Sequence, residues 1–251
     1  MTVSILQSKL LTDAGFPLHG FTRRVGGVSE GPYASLNLGF DIGDADENVR
    51  ENLRRLQAAV GTELPLARVR QVHGALVADA EAARLSAWDA APEVDADAIV
   101  SADGKTVQAV QTADCVPVLL ACPESRITAA VHAGWRGAAA GIVRKVLRKM
   151  TEMGARTDLM TAALGPAIGF PCYEVDEEVG KRFIESAEPK PKTPGKYLLD
   201  LLNAVEVDLI IGGISTDRME RVGGCTHCLP EELFSYRHSG GTCGRMLSFI
   251  A

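Results

Sequence analysis

The sequence predicts an α+β fold in which mixed β-sheets are flanked by helices. Two observations carry this prediction. Short runs with strand character cluster between residues 68 and 132 instead of alternating strictly with helices, which disfavours a doubly wound sheet. Amphipathic helical patterns stand before and after that cluster. At 251 residues, 46% hydrophobic and 23% charged, the chain has enough apolar material for a sizeable core. That length permits one large domain or two small ones. No repeat, low-complexity tract or clear linker interrupts it.

The elements follow in order. Residues 30–61 read as turn, strand, loop and helix. Asp46 is the expected N-cap, Val49, Leu53, Leu56 and Val60 share one helical face, and Gly61 stands at the stop position. Strands are predicted at 68–77, 97–101, 107–112, 116–122 and 127–132. A helix is predicted at 138–150. Ile142, Val143, Val146, Leu147 and Met150 line its inner face, with Arg144, Lys145, Arg148 and Lys149 on a solvated one. Residues 159–165 read as a buried strand, and 176–186 and 196–211 as helices. Between them "AEPKPKTPGK" (187–196), with three prolines, reads as a surface loop. The chain ends in a loop and a final strand.

Net charge is −6 and scattered, which argues against general nucleic-acid binding and against attraction to an anionic membrane. No stretch reaches the ~20 apolar residues of a membrane span. Residues 1–18 mix Lys9 and Asp13 into apolar sequence and do not read as a signal peptide. The expectation is a cytoplasmic protein. Its six cysteines, at 115, 122, 172, 225, 228 and 243, are then reduced thiols or ligands rather than a disulfide framework.

Three segments each place one ligand-type residue beside apolar strand sequence: "RQVHG" gives His73, "QTADC" gives Cys115 and "AVHAG" gives His132. Two imidazoles and a thiolate suit Zn²⁺, and three protein ligands with a fourth position open is the catalytic pattern. The residues are 42 and 17 positions apart, so spacing alone leaves a plainer reading in place: a hydrogen-bonded core His and a Cys acting as a small hydrophobe. Gly74 and Gly134 follow the two histidines and allow close approach there.

The segments "GGVSEGPYASLNLGFDIGD", "QVHG", "TADCVPVLL", "HAGWRG", "LGPAIG", "YEV" and the closing "FSYR…GRM.SFI" resemble the YfiH family, also called laccase-domain proteins. The likeness runs in order from about Thr22 to Ile250. It implies one domain over residues 1–251, with a fold like that of deamidating toxins. It implies a metal site at His73, Cys115 and His132 that usually holds zinc. It also implies phosphorolysis of adenosine, inosine, guanosine and methylthioadenosine, and hydrolytic deamination of adenosine. Purine nucleosides and inorganic phosphate would then be the partners.

On this reading His73, Cys115, His132 and Asp114 are the candidate catalytic residues. Asp114 is either a proton shuttle or a residue that caps a turn and steadies a ligand. Arg24, Arg136 and Arg245 are phosphate candidates, because arginine forks suit phosphate. Asn37 and Gln71 are candidates for holding ribose or base. Each of these five has a plainer alternative as a surface arginine or a buried-backbone partner.

A multicopper oxidase needs many histidines, since its blue-copper centre alone takes two His and one Cys. Five histidines in total cannot supply a complete laccase site, though copper would bind a zinc-type donor set. Competing readings are a Cys115 hydrolase with a histidine base, an editing enzyme for peptidoglycan precursors, and an interaction module with a structural metal. "CTHC" (225–228) could form half of a zinc knuckle, but no second CxxC or paired histidines follow at knuckle spacing, and His227 and Cys228 stand outside the family pattern, so no second metal or redox site is expected there.

Overall fold

The computed structural model describes residues 2–251. Its strands are β1 (Ile5–Leu6), β2 (His19–Thr22), β3 (Leu66–Arg68), β4 (Val77–Asp79), β5 (Ala98–Ser101), β6 (Val107–Thr112) and β7 (Val116–Ala121). They continue with β8 (Thr128–Ala133), β9 (Thr161–Leu164), β10 (Glu174–Asp176), β11 (Lys190–Thr193), β12 (Lys196–Leu198), β13 (Met219–Arg221) and β14 (Met246–Ile250). The α-helices are α1 (Lys9–Asp13), α2 (Asp46–Val60), α3 (Trp135–Ala139), α4 (Ile142–Glu152), α5 (Glu177–Lys181), α6 (Ile184–Ala187) and α7 (Leu201–Ile211).

Two large mixed sheets result, in the orders β1-β2-β14-β6-β3 and β13-β9-β7-β8-β5-β4, with β10-β12-β11 as a small third. The expected α+β class with mixed sheets is observed. Phe21, Val110 and Ile250 of the first sheet pack with Leu119, Ala121, Ala130 and Ala163 of the second. Outside the first sheet lies α2, whose Val49, Leu53 and Leu56 bury against Val107, Ala109, Leu247 and Phe249. Outside the second lie α4 and α7, packed on Val118, Leu120, Ala129 and Val131. Each large sheet is thus covered on both faces. That is why β7 and β8 are buried at every position and show no apolar–polar alternation.

Several boundaries differ from expectation for physical reasons. The run 68–77 is not one strand: β3 ends at Arg68, and the chain loops to β4 with His73 in the left-handed region at φ 56°. Val72 and Leu76, which suggested burial, are exposed. No strand forms between residues 34 and 40. The N-cap of α2 is Ala45, with Asp46 the first helical residue, while Gly61 ends the helix in the left-handed conformation as expected. The helix expected at 138–150 is two helices, because Gly141 takes φ 72° between α3 and α4. The helix expected at 176–186 is likewise split into α5 and α6. Residues 190–198 form the β11–β12 hairpin, so α7 begins only at Leu201, where the Asp200 side chain accepts the Asn203 N–H. Among the described residues, no helix is long and apolar enough to cross a membrane.

Candidate metal centre and cleft

Strand register brings the three ligand-type residues together. His132 on β8 pairs with Pro117 on β7, so Cys115, just before β7, reaches the same sheet end. Ala98 on β5 pairs with Val131 on β8, which sets Asp97 beside His132. The 69–76 loop then folds over this end and delivers His73. Ligand atoms of His73, Cys115 and His132 all lie within 4.8 Å of one another, and the two imidazole rings stand edge to face at 4.9 Å.

Asp97 organises the group and was not singled out from the sequence. It is fully buried. Its carboxylate accepts the His73 N–H at 2.9 Å and the Gly74 N–H at 2.7 Å, and meets His132 Nδ1 at 2.9 Å. Burial alone would raise this carboxyl, but His132 and the two amides hold it below the usual range. Its one sequence signal was a carboxylate abutting the buried strand "AIVS".

The donor set fits a divalent metal. With Nδ1 on Asp97, His132 presents Nε2 to the cluster, the carboxylate–histidine arrangement common around metals. Burial opposes ionisation of Cys115, but His132 and His73 outweigh it and bring the thiol down to about 6. Burial opposes charge on His132 too, yet Cys115 and Asp97 raise it to about 9. A Cβ on Gly134 would stand 3.1 Å from Cys115 Sγ, 3.5 Å from His73 Cδ2 and 3.7 Å from His132 Cε1. The glycine therefore keeps a hollow open against all three residues. Gly137 serves packing: a Cβ there would strike the Gly74 carbonyl oxygen at 2.6 Å.

The cluster opens into a cleft of about 830 Å³, within the range of small-molecule sites. Trp135, Tyr173 and Tyr236 give it aromatic surface, and Arg68, Arg70, Arg136, Arg237 and Arg245 give it positive charge. Arg70 is paired with Asp95 at 2.5 Å, and Arg136 lies over the Trp135 ring. Arg245 bonds the Cys243 and Gly244 carbonyls through Nη1.

Arg68 is the second residue missed from the sequence. It is buried, its Nη2 donates to Leu38 O and Gln111 Oε1, and its Nη1 has no partner. Burial pushes its guanidinium down to about 10. Thr112 Oγ1, in the same wall, is also buried without a partner.

The remaining expected residues divide. Arg136, Arg245, Gln71 and Asp114 line the cleft, and Arg24 and Asn37 are not among its lining. Arg24 donates to the Ala34 and Pro230 carbonyls. Asn37 is fully buried and bonds Gly39, Asp44 and the Arg245 N–H. Gln71 exchanges two hydrogen bonds with the Gln111 backbone. Both Asp114 carboxylate oxygens are engaged: Oδ1 accepts from the Thr226 hydroxyl at 2.5 Å and Oδ2 from the Arg237 N–H at 2.7 Å.

Residues 18–251 match the family described as multi-copper polyphenol oxidoreductase laccase. The chain belongs to this family. A purine nucleoside phosphorylase of Deinococcus radiodurans is 37% identical to it, over 96% of this chain and 94% of that one. The purine nucleoside phosphorylase YlmD of Geobacillus stearothermophilus is 36% identical, over 92% and 88%. The crystal structure of that YlmD superposes with a TM-score of 0.87 at 32% identity, covering 93% of this chain and 90% of its own. A Bacillus licheniformis YfiH structure gives 0.86 at 30% identity, covering 93% and 91%. Among the described residues of this YfiH/laccase-like chain, His73 and His132 are the histidines that line the cleft. His19 is buried between Ser8 and Phe16, and His227 and His238 pack edge to face on each other elsewhere.

Proposed function

We propose that the chain is a zinc-dependent purine nucleoside phosphorylase acting on adenosine, inosine, guanosine and methylthioadenosine, with adenosine deaminase activity in the same cleft. The observation that carries this reading is Arg68: a buried guanidinium with an unpartnered Nη1, in the wall of one cleft with the His73–Cys115–His132 cluster. A buried cation with an unfilled donor calls for an anion, and inorganic phosphate is the anion phosphorolysis consumes. The relatives' names, purine nucleoside phosphorylases, support the phosphorolysis.

The roles follow from position. His73, Cys115 and His132 would hold the metal, zinc by donor type, with copper accepted by the same set. When bound, a divalent metal supplies Lewis-acid polarisation of substrate oxygen or nitrogen. Arg68 and Arg245, with exposed Arg136 at the rim, hold phosphate. Tyr173, Tyr236 and Trp135 offer ring faces to a purine. Burial and the neighbouring Cys115 raise the Tyr173 hydroxyl, so it stays a neutral donor at physiological pH. In phosphorolysis an oxygen of hydrogen phosphate bonds to C1′ of the ribose as the bond to the purine nitrogen breaks, and the purine leaves with the proton that the phosphate gives up. Asp114 enters as a positioning residue that ties the Thr226 and Arg237 loops to the metal cluster. Five histidines leave no complete laccase centre, so oxidase chemistry is not part of this proposal.

A second reading has one specific observation behind it. Cys115, His132 and Asp97 stand in the order nucleophile, base and orienting carboxylate. Metal content separates the two, because a metal-held thiolate is a poor free nucleophile.

The test incubates metal-defined protein with adenosine, with and without phosphate, and identifies products by mass spectrometry beside Cys115→Ser. Adenine and ribose 1-phosphate only with phosphate, and inosine without it, are expected, and the variant should form neither. No product from zinc-loaded protein overturns the nucleoside reading. Turnover that persists in chelated protein and stops on thiol alkylation selects the hydrolase.

A further inference from the structure

We infer that the chain carries a second metal site, for a thiophilic divalent cation of the zinc class, ligated by Cys172, His227 and Cys228. Their ligand atoms lie within 4.8 Å of one another, on two loops far apart in sequence. Cys172 closes the short turn Phe170–Cys172, and His227 and Cys228 lie in the turn after Cys225.

The loops are preassembled without help from the proposed ligand thiols. Ala167 and Cys225 form a parallel bridge, and the Thr226 N–H donates to Ala167 O at 3.0 Å. The Gly169 N–H donates to Cys225 Sγ at 3.1 Å. A Cβ on Gly169 would sit 3.2 Å from both Cβ and Sγ of Cys225, so the glycine is what lets that sulfur in. Half of the six cysteines are therefore gathered here, with Cys225 beside the ligand group rather than in it.

Spacing favours a shared cation over a covalent pair. Cys172 Sγ and Cys228 Sγ are 3.4 Å apart and both are free, while a disulfide needs about 2.05 Å. Two sulfurs on one tetrahedral zinc, at about 2.3 Å each, stand roughly 3.8 Å apart. The His227 ring packs edge to face on His238 at 5.2 Å, which limits its rotation, and Cys228 is exposed, so a cation can enter from solvent.

The position suggests a clamp. Cys172 adjoins Tyr173, Cys228 is two residues from Thr226, and the Thr226 hydroxyl holds Asp114. Arg237 Nη1 donates to Glu174 O across the same loops. A cation here would cross-link the segments that form one wall of the cleft, and its work is structural.

The test counts metal in the full-length chain. Under reducing conditions the unaltered protein is expected to hold two equivalents of zinc. The double variant Cys115→Ser/His132→Ala should hold one, and adding Cys228→Ser should remove it. With cobalt in place of zinc, the double variant should show a thiolate-to-cobalt charge-transfer band that Cys228→Ser abolishes. His227→Asn, which leaves every sulfur in place, should weaken zinc at this site at least tenfold, and circular dichroism reports whether each variant is folded. Chelation of the double variant should lower its melting temperature. A folded double variant that binds neither metal, retention unaffected by Cys228→Ser, or a Cys172–Cys228 disulfide in anaerobically purified protein would each overturn the inference.

Discussion

Asp97 Oδ1 lies 2.9 Å from His132 Nδ1, and the same carboxylate accepts the backbone N–H groups of His73 and Gly74. One buried acid thus sets the ring orientation of one candidate ligand and the backbone of another. The β5–β8 register puts Asp97 there, and a sharp loop carries His73 back to it.

Asp97→Asn should therefore damage the metal cluster more than the fold. Asn keeps the size but loses the charge, and its amide presents N–H where N–H groups must be accepted. Removing such a supporting carboxylate lowers metal affinity by roughly ten- to hundredfold. A competition titration against a chelator reads this directly. Affinity equal to the unaltered protein would mean that Asp97 only supports the loop.

Metal binding should release protons in a pH-dependent way. In metal-free protein Cys115 titrates at about 6 and His132 at about 9, so between those values the pair is thiolate and imidazolium. A metal on His132 Nε2 displaces that proton, giving about one proton released per site near neutral pH. Below pH 6 the Cys115 proton must leave as well, and above pH 9 neither remains. Affinity should thus climb with pH up to about 9, most steeply below 6. Calorimetry in buffers of different ionisation enthalpy counts the protons. Zero release at pH 7 would show that the metal does not use His132.

What the sequence made legible follows from what periodicity encodes. Strand β6 matches its expected bounds, and β5, β7 and β8 fall within a residue of theirs at each end, because both faces of these strands are covered. The stretch 68–77 failed because apolar letters cannot show that Val72 and Leu76 face solvent. The β11–β12 hairpin failed because "KPKT" is exposed throughout and carries no alternation. At the site, spacings of 42 and 17 residues hold no local signal, so residue type and strand-end position could only suggest the grouping of His73, Cys115 and His132, and family resemblance decided it. Arg68 and Asp97 were invisible for a related reason. Their importance lies in being buried with charge, and burial depends on strand pairing that spacing does not reveal.

Arg68 tests the phosphate half of the proposed function. Arg68→Met fills similar volume without charge. Losing a charged hydrogen bond costs about 1.5–3 kcal/mol, so KM for phosphate should rise by roughly ten- to hundredfold. Hydrolytic release of ammonia from adenosine, which needs no phosphate, should change far less. Burying an unpaired cation is costly, so the variant's melting temperature should fall little despite the two acceptors left behind. Equal losses in both activities would assign Arg68 to the fold of the cleft instead of to phosphate.

Gly134→Ala separates space from backbone. Gly134 has φ −75° and ψ 165°, extended backbone that alanine adopts without strain. The new methyl group would stand 3.1 Å from Cys115 Sγ and within 3.7 Å of both imidazoles, in the hollow the three residues share. The protein should fold with an unchanged circular dichroism spectrum while zinc occupancy falls and turnover drops at least tenfold, by metal analysis and product assay together. Full occupancy with lost turnover would place the methyl against substrate rather than metal. Full occupancy with full turnover would show that the hollow at Gly134 serves neither.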